Sequence, residues 1–171
     1  KLKMSEAFVD RFGRQHYAEE GLATPRTAYY MIIIKNRQVL LSALPRFDLF
    51  EFPGGGLNRG ENYKTCLKRE LYEETGYDFA LGNGQAELRQ KVNFFADDIR
   101  PRGEYWHYDQ VFMVYDAAAY GIKIKEGEWT TPENGKAKWV DVAEIDSGKL
   151  PLNYCHKMAW DKLRRQGVID F

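Results

Sequence analysis

The chain of 171 residues has two cysteines, three histidines, no excess of either charge and no long apolar run, and each shortage closes off a class of function. Cys66 and Cys155 stand far apart, with no Cys-x-x-Cys and no neighbouring histidine. Such spacing encodes neither a disulfide scaffold nor a zinc site, and it suits a reducing compartment. His16, His107 and His156 are scattered, none at metal-ligand spacing from a cysteine or acid, and solvated or strand-edge positions account for them. Lys and Arg total 25 and Asp and Glu total 25. That balance argues against a protein that holds nucleic acid by bulk electrostatics. No apolar stretch approaches the roughly 18 residues of a membrane span, and the first residues carry charge where a signal peptide would be apolar. The expectation is a soluble, cytoplasmic protein without a membrane partner. No serine lies in a nucleophile-elbow pattern and no Walker-type Gly-Lys-Thr occurs, so covalent hydrolase and kinase chemistry have no support.

What is present suffices for one domain with a substantial core, since 44% of residues are hydrophobic. Residues 8–17 read as two short strands about a turn at Phe12-Gly13. Residues 29–34 form a continuous β-branched and apolar run, with Arg26 just ahead of it; a turn at Asn36-Arg37 leads to a second run over 39–44. Both read as buried strands. Phe50-Glu51-Phe52 is a brief strand that ends on Pro53. Farther on, residues 87–95 read as a strand and 97–103 as a polar loop. Residues 106–115 alternate, with Trp106, Tyr108, Gln110, Phe112 and Val114 on one side, so that one face belongs to the core. A strand over 137–142, a helical turn near Glu144 and a helix over 153–166 with Met158, Trp160 and Leu163 available for packing complete the chain. Strands on both sides of a helix, closed by a second helix, imply a mixed sheet between helical layers.

The most informative stretch runs from Phe52-Pro53-Gly54-Gly55-Gly56 through Glu61 to Arg69-Glu70-Leu71-Tyr72-Glu73-Glu74-Thr75-Gly76-Tyr77. If residues 62–75 are helical, side chains step by about 100° around the axis, and positions three or four apart share a face. Tyr63, Cys66 and Leu67 then point one way, with Leu71 at the border. Lys64, Thr65, Lys68, Tyr72 and Thr75 form the solvated side. Glu70, Glu73 and Glu74 continue the inward direction. Like charges at this spacing cost roughly 0.2–0.5 kcal/mol per pair on an exposed helix, and burial increases the cost. One guanidinium, Arg69, does not balance them. A hard divalent cation does, and oxygen-only ligation with retained waters suits Mg²⁺, with Mn²⁺ the alternative. The three glycines supply a backbone able to take positive φ and to approach a ligand, and Gly76 stands where a helix-terminating glycine belongs.

This spacing of glycine, Glu61, Arg69-Glu70 and Glu73-Glu74-x-Gly76 resembles the Nudix box, the signature of hydrolases that cleave nucleoside diphosphates linked to another group. The match departs from the family at Tyr77, where an aliphatic residue is usual. The resemblance implies the Nudix α/β/α sandwich, with the box helix and a C-terminal helix packed on a mixed sheet. It makes residues 1–26 an N-terminal addition, a hairpin that covers a sheet edge or meets a second copy in a homodimer. It also implies a metal set of the Gly55 carbonyl, Glu61, Glu70 and Glu74, with Glu73 the next ligand candidate. The general base is Glu73 or Glu74, or Glu133 on a later loop, for which a solvent-exposed turn residue is the plainer account. Arg69 pairs with the box acids and positions them.

Substrate choice lies outside the box. Arg26 could reach a phosphate. Phe94, Phe95, Tyr105 and Trp106 could stack on a base, while Phe112, Trp139 and Trp160 read as core. Asn153, after Leu150-Pro151-Leu152, stands where triphosphate-cleaning relatives place an asparagine on the base, and equally where a helix N-cap belongs. The expected substrate is a small nucleotide: a nucleoside triphosphate, a modified nucleotide or a nucleotide sugar. Two alternatives share the fold. One is an RNA 5′-end pyrophosphohydrolase guided by Arg89, Lys91, Arg100 and Arg102. The other is a non-catalytic binding or regulatory domain, which the presence of all four box glutamates disfavours.

Overall fold

The computed structural model describes residues 2–99 and 101–169. Arg100 of the basic group named above lies outside them. In chain order the elements are β1 (Ser5–Val9), β2 (Gln15–Glu19), β3 (Thr24–Lys35), β4 (Gln38–Ala43), β5 (Phe50–Glu51), β6 (Gly54–Gly56) and α1 (Tyr63–Thr75). They continue with β7 (Ala86–Ala96), β8 (Glu104–Asp116), a 3-10 turn (Ala117–Tyr120), β9 (Glu128–Thr130), β10 (Lys136–Asp141), α2 (Val142–Asp146) and α3 (Tyr154–Arg165). The strands form one mixed sheet in the order β2-β1-β7-β8-β3-β4-β10-β9, with β5 paired to β4 and β6 to β3. The long β3–β8 pair is parallel, from Thr24 opposite Trp106 to Ile34 opposite Asp116.

The alternation of β3 divides the core. Tyr30 and Ile32 join Phe52, Phe112, Cys155, Trp160 and Leu163 on the side of α2 and α3. Met31 and Ile33 join Leu67, Leu71, Tyr77, Val111, Met113 and Trp139 on the side of α1. Helices therefore cover both faces of the sheet, and successive side chains of a central strand are buried alternately in two layers. The same arrangement corrects the expectation for β8. From Gln110 to Tyr115 both of its faces are buried, because α1 covers the side that alternation alone would leave to water.

Other expectations change as well. Arg26 lies inside β3 rather than ahead of it, since pairing with β8 extends the strand back to Thr24. Thr75 is fully buried, not solvated: it sits one turn beyond Leu71, and its hydroxyl donates to the Leu71 carbonyl. Gly54–Gly56 is itself a strand, with Tyr30 opposite Gly54 and Ala28 opposite Gly56. Of the three glycines only Gly54 has positive φ, at 149°. The other two are needed for space. A Cβ on Gly55 would lie 2.6 Å from Glu70 Oε1, and one on Gly56 would lie 2.7 Å from Arg26 Nη2.

The box helix begins and ends as its residues specify. Asn62 accepts a bond from the Thr65 amide, and Gly76 takes the left-handed conformation with its N–H on the Tyr72 carbonyl. Tyr77, the departure from the family pattern, is buried without an orphan hydroxyl. It donates to the Lys123 carbonyl at 2.7 Å and accepts from Trp139 Nε1 at 2.9 Å. A ring can replace an aliphatic side chain there because both capacities of its hydroxyl are met.

Candidate active site

A cleft of about 340 Å³ opens where β6, α1, β8 and the start of α3 converge. The strand alternation and the β6–α1 connection decide what faces it. Pairing with β3 carries Gly54–Gly56 into the wall, and α1 turns Glu70, Glu73 and Glu74 toward them. Glu74 accepts from the Gly54 amide at 3.1 Å and from the Ser42 hydroxyl at 3.2 Å. Burial pushes its carboxyl well above the ordinary value, and the nearby charges of Glu70 and Glu51 push it the same way. Glu70 is also raised, again chiefly by burial, against the opposing pull of Arg69.

Arg69 gathers the remaining acids. It holds Glu61 through two parallel bonds, Nε to Oε2 at 2.8 Å and Nη2 to Oε1 at 2.9 Å. Nη1 reaches Glu70 at 2.8 Å and Glu73 at 3.1 Å. The fork brings the Glu61 carboxyl down to about 2, with the Asn58 amide assisting. Glu61 is thus drawn to Arg69 and is absent from the cleft wall. Glu133, at the turn joining β9 to β10, is exposed and also lines the cleft. Its amide donates to the Glu73 carbonyl at 3.2 Å. Partial burial raises its carboxyl, and the adjoining Glu73 raises it further.

Three guanidiniums, Arg11, Arg26 and Arg69, thereby face six carboxylates, Glu51, Glu70, Glu73, Glu74, Asp98 and Glu133. A cleft so acidic repels a phosphate unless another cation enters with it. Among the described residues no three His, Cys, Asp or Glu side chains surround one point in ligating arrangement. The Arg69 guanidinium occupies oxygens of Glu61, Glu70 and Glu73. The donors themselves fit a hard divalent cation, being carboxylate oxygens beside a glycine strand. Burial raises the Glu70 and Glu74 carboxyls, and a neighbouring carboxylate adds to each, Glu73 to Glu70 and Glu70 to Glu74.

Away from the acids, the cleft wall is aromatic and polar. Trp106 lines it with Phe94, and the Arg26 guanidinium lies 4.3 Å from the Trp106 ring centroid. Phe95 does not line it. Adjacent residues of β7 point to opposite faces, so Phe95 packs instead on His16 and Tyr105. Tyr105 is likewise absent from the wall. Asn153 is buried at the cleft edge, where it caps α3 by accepting from the Cys155 amide at 2.9 Å and offers Nδ2 to Glu51 at 3.4 Å. The cap and the cleft position coexist.

Several lining residues had no signal in the sequence. Arg11 comes from the β1–β2 turn, and Asp98 from the loop between β7 and β8. Tyr30 and Tyr108, 2.6 Å apart at their hydroxyls, belong to separate strands and meet only through the β3–β8 register. His156 is another departure. It is fully buried, accepts from the Phe52 amide at 2.9 Å through Nδ1, and leaves Nε2 without a partner. The exposed cations of β7 are interleaved with acids: Arg89 binds Glu87 at 2.7 Å, and Lys91 lies opposite Asp109 in the register. Both cysteines are free and buried, and no helix among the described residues is long and apolar enough to cross a membrane.

Known proteins resemble this chain in sequence and in fold. Over 125 residues the chain is 26% identical to a Bacillus subtilis protein provisionally named an 8-oxo-dGTP diphosphatase, covering 73% of this chain and 68% of that one. It is 25% identical over 130 residues to the RNA pyrophosphohydrolase of Erythrobacter litoralis, covering 71% and 79%. Among solved structures it superimposes on the bifunctional NMN adenylyltransferase/ADP-ribose pyrophosphatase of Francisella tularensis, complexed with AMP and a manganese ion. That match has a TM-score of 0.57 at 20% identity, over 83% of this chain and 42% of the other, so the likeness is one of fold and the chain spans about four-tenths of that protein. The NUDIX domain family matches residues 24–159, which contain the glycine strand, the box helix, β7, β8 and the capping Asn153. With Glu70, Glu73 and Glu74 of its signature turned into the cleft, the chain belongs to the NUDIX domain family and is a Nudix hydrolase.

Proposed function

We propose that this protein is a metal-dependent pyrophosphohydrolase of small nucleotides, acting on a nucleoside diphosphate linked to a further phosphate or other group by attack of water on phosphorus. The observation that carries the reading is the placement of Glu70 and Glu74 in one cleft with the glycine strand, both carboxyls raised by burial and left short of positive charge. Glu70, Glu74 and the Gly55 carbonyl would hold the cation, and release of Glu61 from Arg69 would bring in a further ligand. A divalent ion bound there supplies neutralisation of the phosphate oxygens and a water of lowered pKa. Mg²⁺ suits the oxygen donors, and Mn²⁺ fits the same set.

The chain's own groups supply the rest. Arg69 orients Glu61, Glu70 and Glu73. Glu73 or Glu74 takes the water's proton, and burial, which raises the Glu74 carboxyl, strengthens that group as a base. Arg26, whose guanidinium stacks on the Trp106 ring, and Trp106 line the same cleft, with charge suited to a phosphate and aromatic surface suited to a base. Asn153 stands beside Glu51 for polar contact with the base. The family match covers residues 24–159, and the expected addition over residues 1–26 overlaps it because β3 begins at Thr24. A small substrate agrees with the balanced charge and with the acids interleaved among Arg89 and Lys91. RNA 5′-end cleavage is the second reading, favoured by the name of the Erythrobacter litoralis relative.

The test is product analysis on a panel of nucleoside triphosphates, oxidised nucleotides, nucleotide sugars and 5′-triphosphorylated RNA, with Mg²⁺, with Mn²⁺ and with EDTA. Glu74→Gln keeps an acceptor for Gly54 and Ser42, so it should fold normally and lose about 100-fold or more in kcat. Equal turnover in EDTA, or an unimpaired Glu74→Gln, sinks the proposal.

A further inference from the structure

Arg11 lies outside the family match, yet it reaches the cleft. The β1–β2 hairpin is built to deliver it. Asp10, fully buried, accepts from the Phe12 amide at 2.9 Å and the Arg14 amide at 3.0 Å, and its other oxygen meets Arg14 Nε at 2.9 Å and His16 Nε2 at 2.8 Å. Burial alone would raise this carboxyl, but the bonds from His16 and from the Arg14 and Phe12 amides outweigh it and hold it below its ordinary value. The turn is thus fixed around an anion. Its next residue, Arg11, is buried as well, with only 6% of its side chain exposed.

There Arg11 ties together pieces of chain that are far apart in sequence. Nη2 binds Asp98, Nε binds Asp97 at 3.1 Å, and Nη1 lies 3.9 Å from Glu51, while the guanidinium stands 3.9 Å from the Phe47 ring centroid. Asp98 also receives Arg46 at 3.1 Å. One buried cation therefore fastens the loop between β7 and β8, the loop between β4 and β5, and the strand that carries Glu51. Asp98, Ile99 and Glu51 all line the cleft, and none of Arg11's partners is a box acid.

We propose that Arg11 is a positioning residue for the substrate: it fixes the cleft wall formed by Glu51, Asp98 and Ile99, so that the N-terminal hairpin is a working part of the site. Anchoring a hairpin would need only a surface contact, whereas this guanidinium is buried among carboxylates that face the cleft. Charge-assisted bonds in such surroundings fix geometry strongly, and losing them frees the loop that they hold.

The inference rests on the nucleotide-hydrolase reading, and its test separates the two. Steady-state kinetics on the best substrate of the panel should show KM rising about tenfold or more in Arg11→Gln, with kcat within about threefold of the parent. Arg11→Lys keeps the charge without the fork and should recover part of the loss. Lys3→Ala removes an exposed ion pair to Glu19 that touches neither Arg11 nor the cleft wall, and should leave KM unchanged. Hydrogen exchange should quicken around residues 97–99 in Arg11→Gln, and a substrate-titrated fluorescence change should weaken in parallel with KM. An unchanged KM in Arg11→Gln, or an equal rise in Lys3→Ala, overturns the inference. If Arg11→Gln fails to fold, Asp98→Asn takes its place with the same expected rise and the same adverse result. Absence of turnover by the parent on every substrate would instead defeat the reading on which the inference depends.

Discussion

His156 sits parallel to the Phe52 ring, 5.6 Å between centroids, with Tyr30 and Phe112 edge-on to it. Burial, with a smaller effect from Arg11, lowers its pKa from an ordinary 6.5 to about 3. In that interval the unfolded chain binds a proton that the folded protein refuses, so stability falls as the pH drops through it; above 6.5 the contribution of the neutral ring is complete. Denaturant titrations from pH 7 to pH 3 should show the parent losing several kcal/mol relative to His156→Asn, whose amide oxygen can accept the Phe52 bond. Parallel stability curves for the two proteins would refute the assignment. Nothing around position 156 in sequence marks a core histidine, because its surroundings come from β3, β8 and the strand before the glycines. The solvated reading failed for that reason.

The box helix was the most legible element. Its start at Asn62, its stop at Gly76 and its three inward acids are local properties, set by capping chemistry and a 3.6-residue period. Asn62→Ala should therefore cost about 1 kcal/mol of stability in denaturant melts, while Lys64→Ala on the exposed face should change it by less than about 0.5 kcal/mol. Equal effects would mean that the cap does not hold the helix start. The strands were less legible. Residues 24–28 gave no sign that β3 begins there, since the first four are exposed and the pairing to β8 alone makes them a strand. The glycines were recognised as a close-approach element able to take positive φ, and not as a strand. Their pairing with β3 turns two of the three from conformational necessities into steric ones.

For the whole molecule the acids are a liability that ligand binding should relieve. Glu70 and Glu74 keep raised carboxyls because burial disfavours their charged forms and neighbouring carboxylates add to the effect. A divalent cation at about 100 times its dissociation constant would add about 2.7 kcal/mol to the folded state. For a protein of this size that amounts to a rise of several degrees in Tm. Scanning calorimetry with Mg²⁺ or Mn²⁺ against EDTA should detect it, and Glu74→Gln should shrink it. Identical melting in both buffers would exclude a cation site in the folded protein. Acidification should weaken the same binding, because protons and metal compete for carboxyls that protonate at higher pH than usual.

From its residues alone the chain declared its family, the box helix with its caps and acids, and a mixed sheet between helical layers, because helix periodicity, turn chemistry and apolar runs act over a few neighbours. Which residues share the cleft is a matter of folding. Phe94 enters and Phe95 does not through the pleat of one strand. Tyr30 meets Tyr108 through the register of a parallel pair. Arg11 arrives from a hairpin anchored on a buried aspartate, and Glu61 turns to Arg69 because a fork of two charge-assisted bonds holds it there. The Tyr30–Tyr108 and Arg11–Asp98 contacts span dozens of residues, and no local pattern encodes them, since their energy exists only once the sheet has brought the partners together.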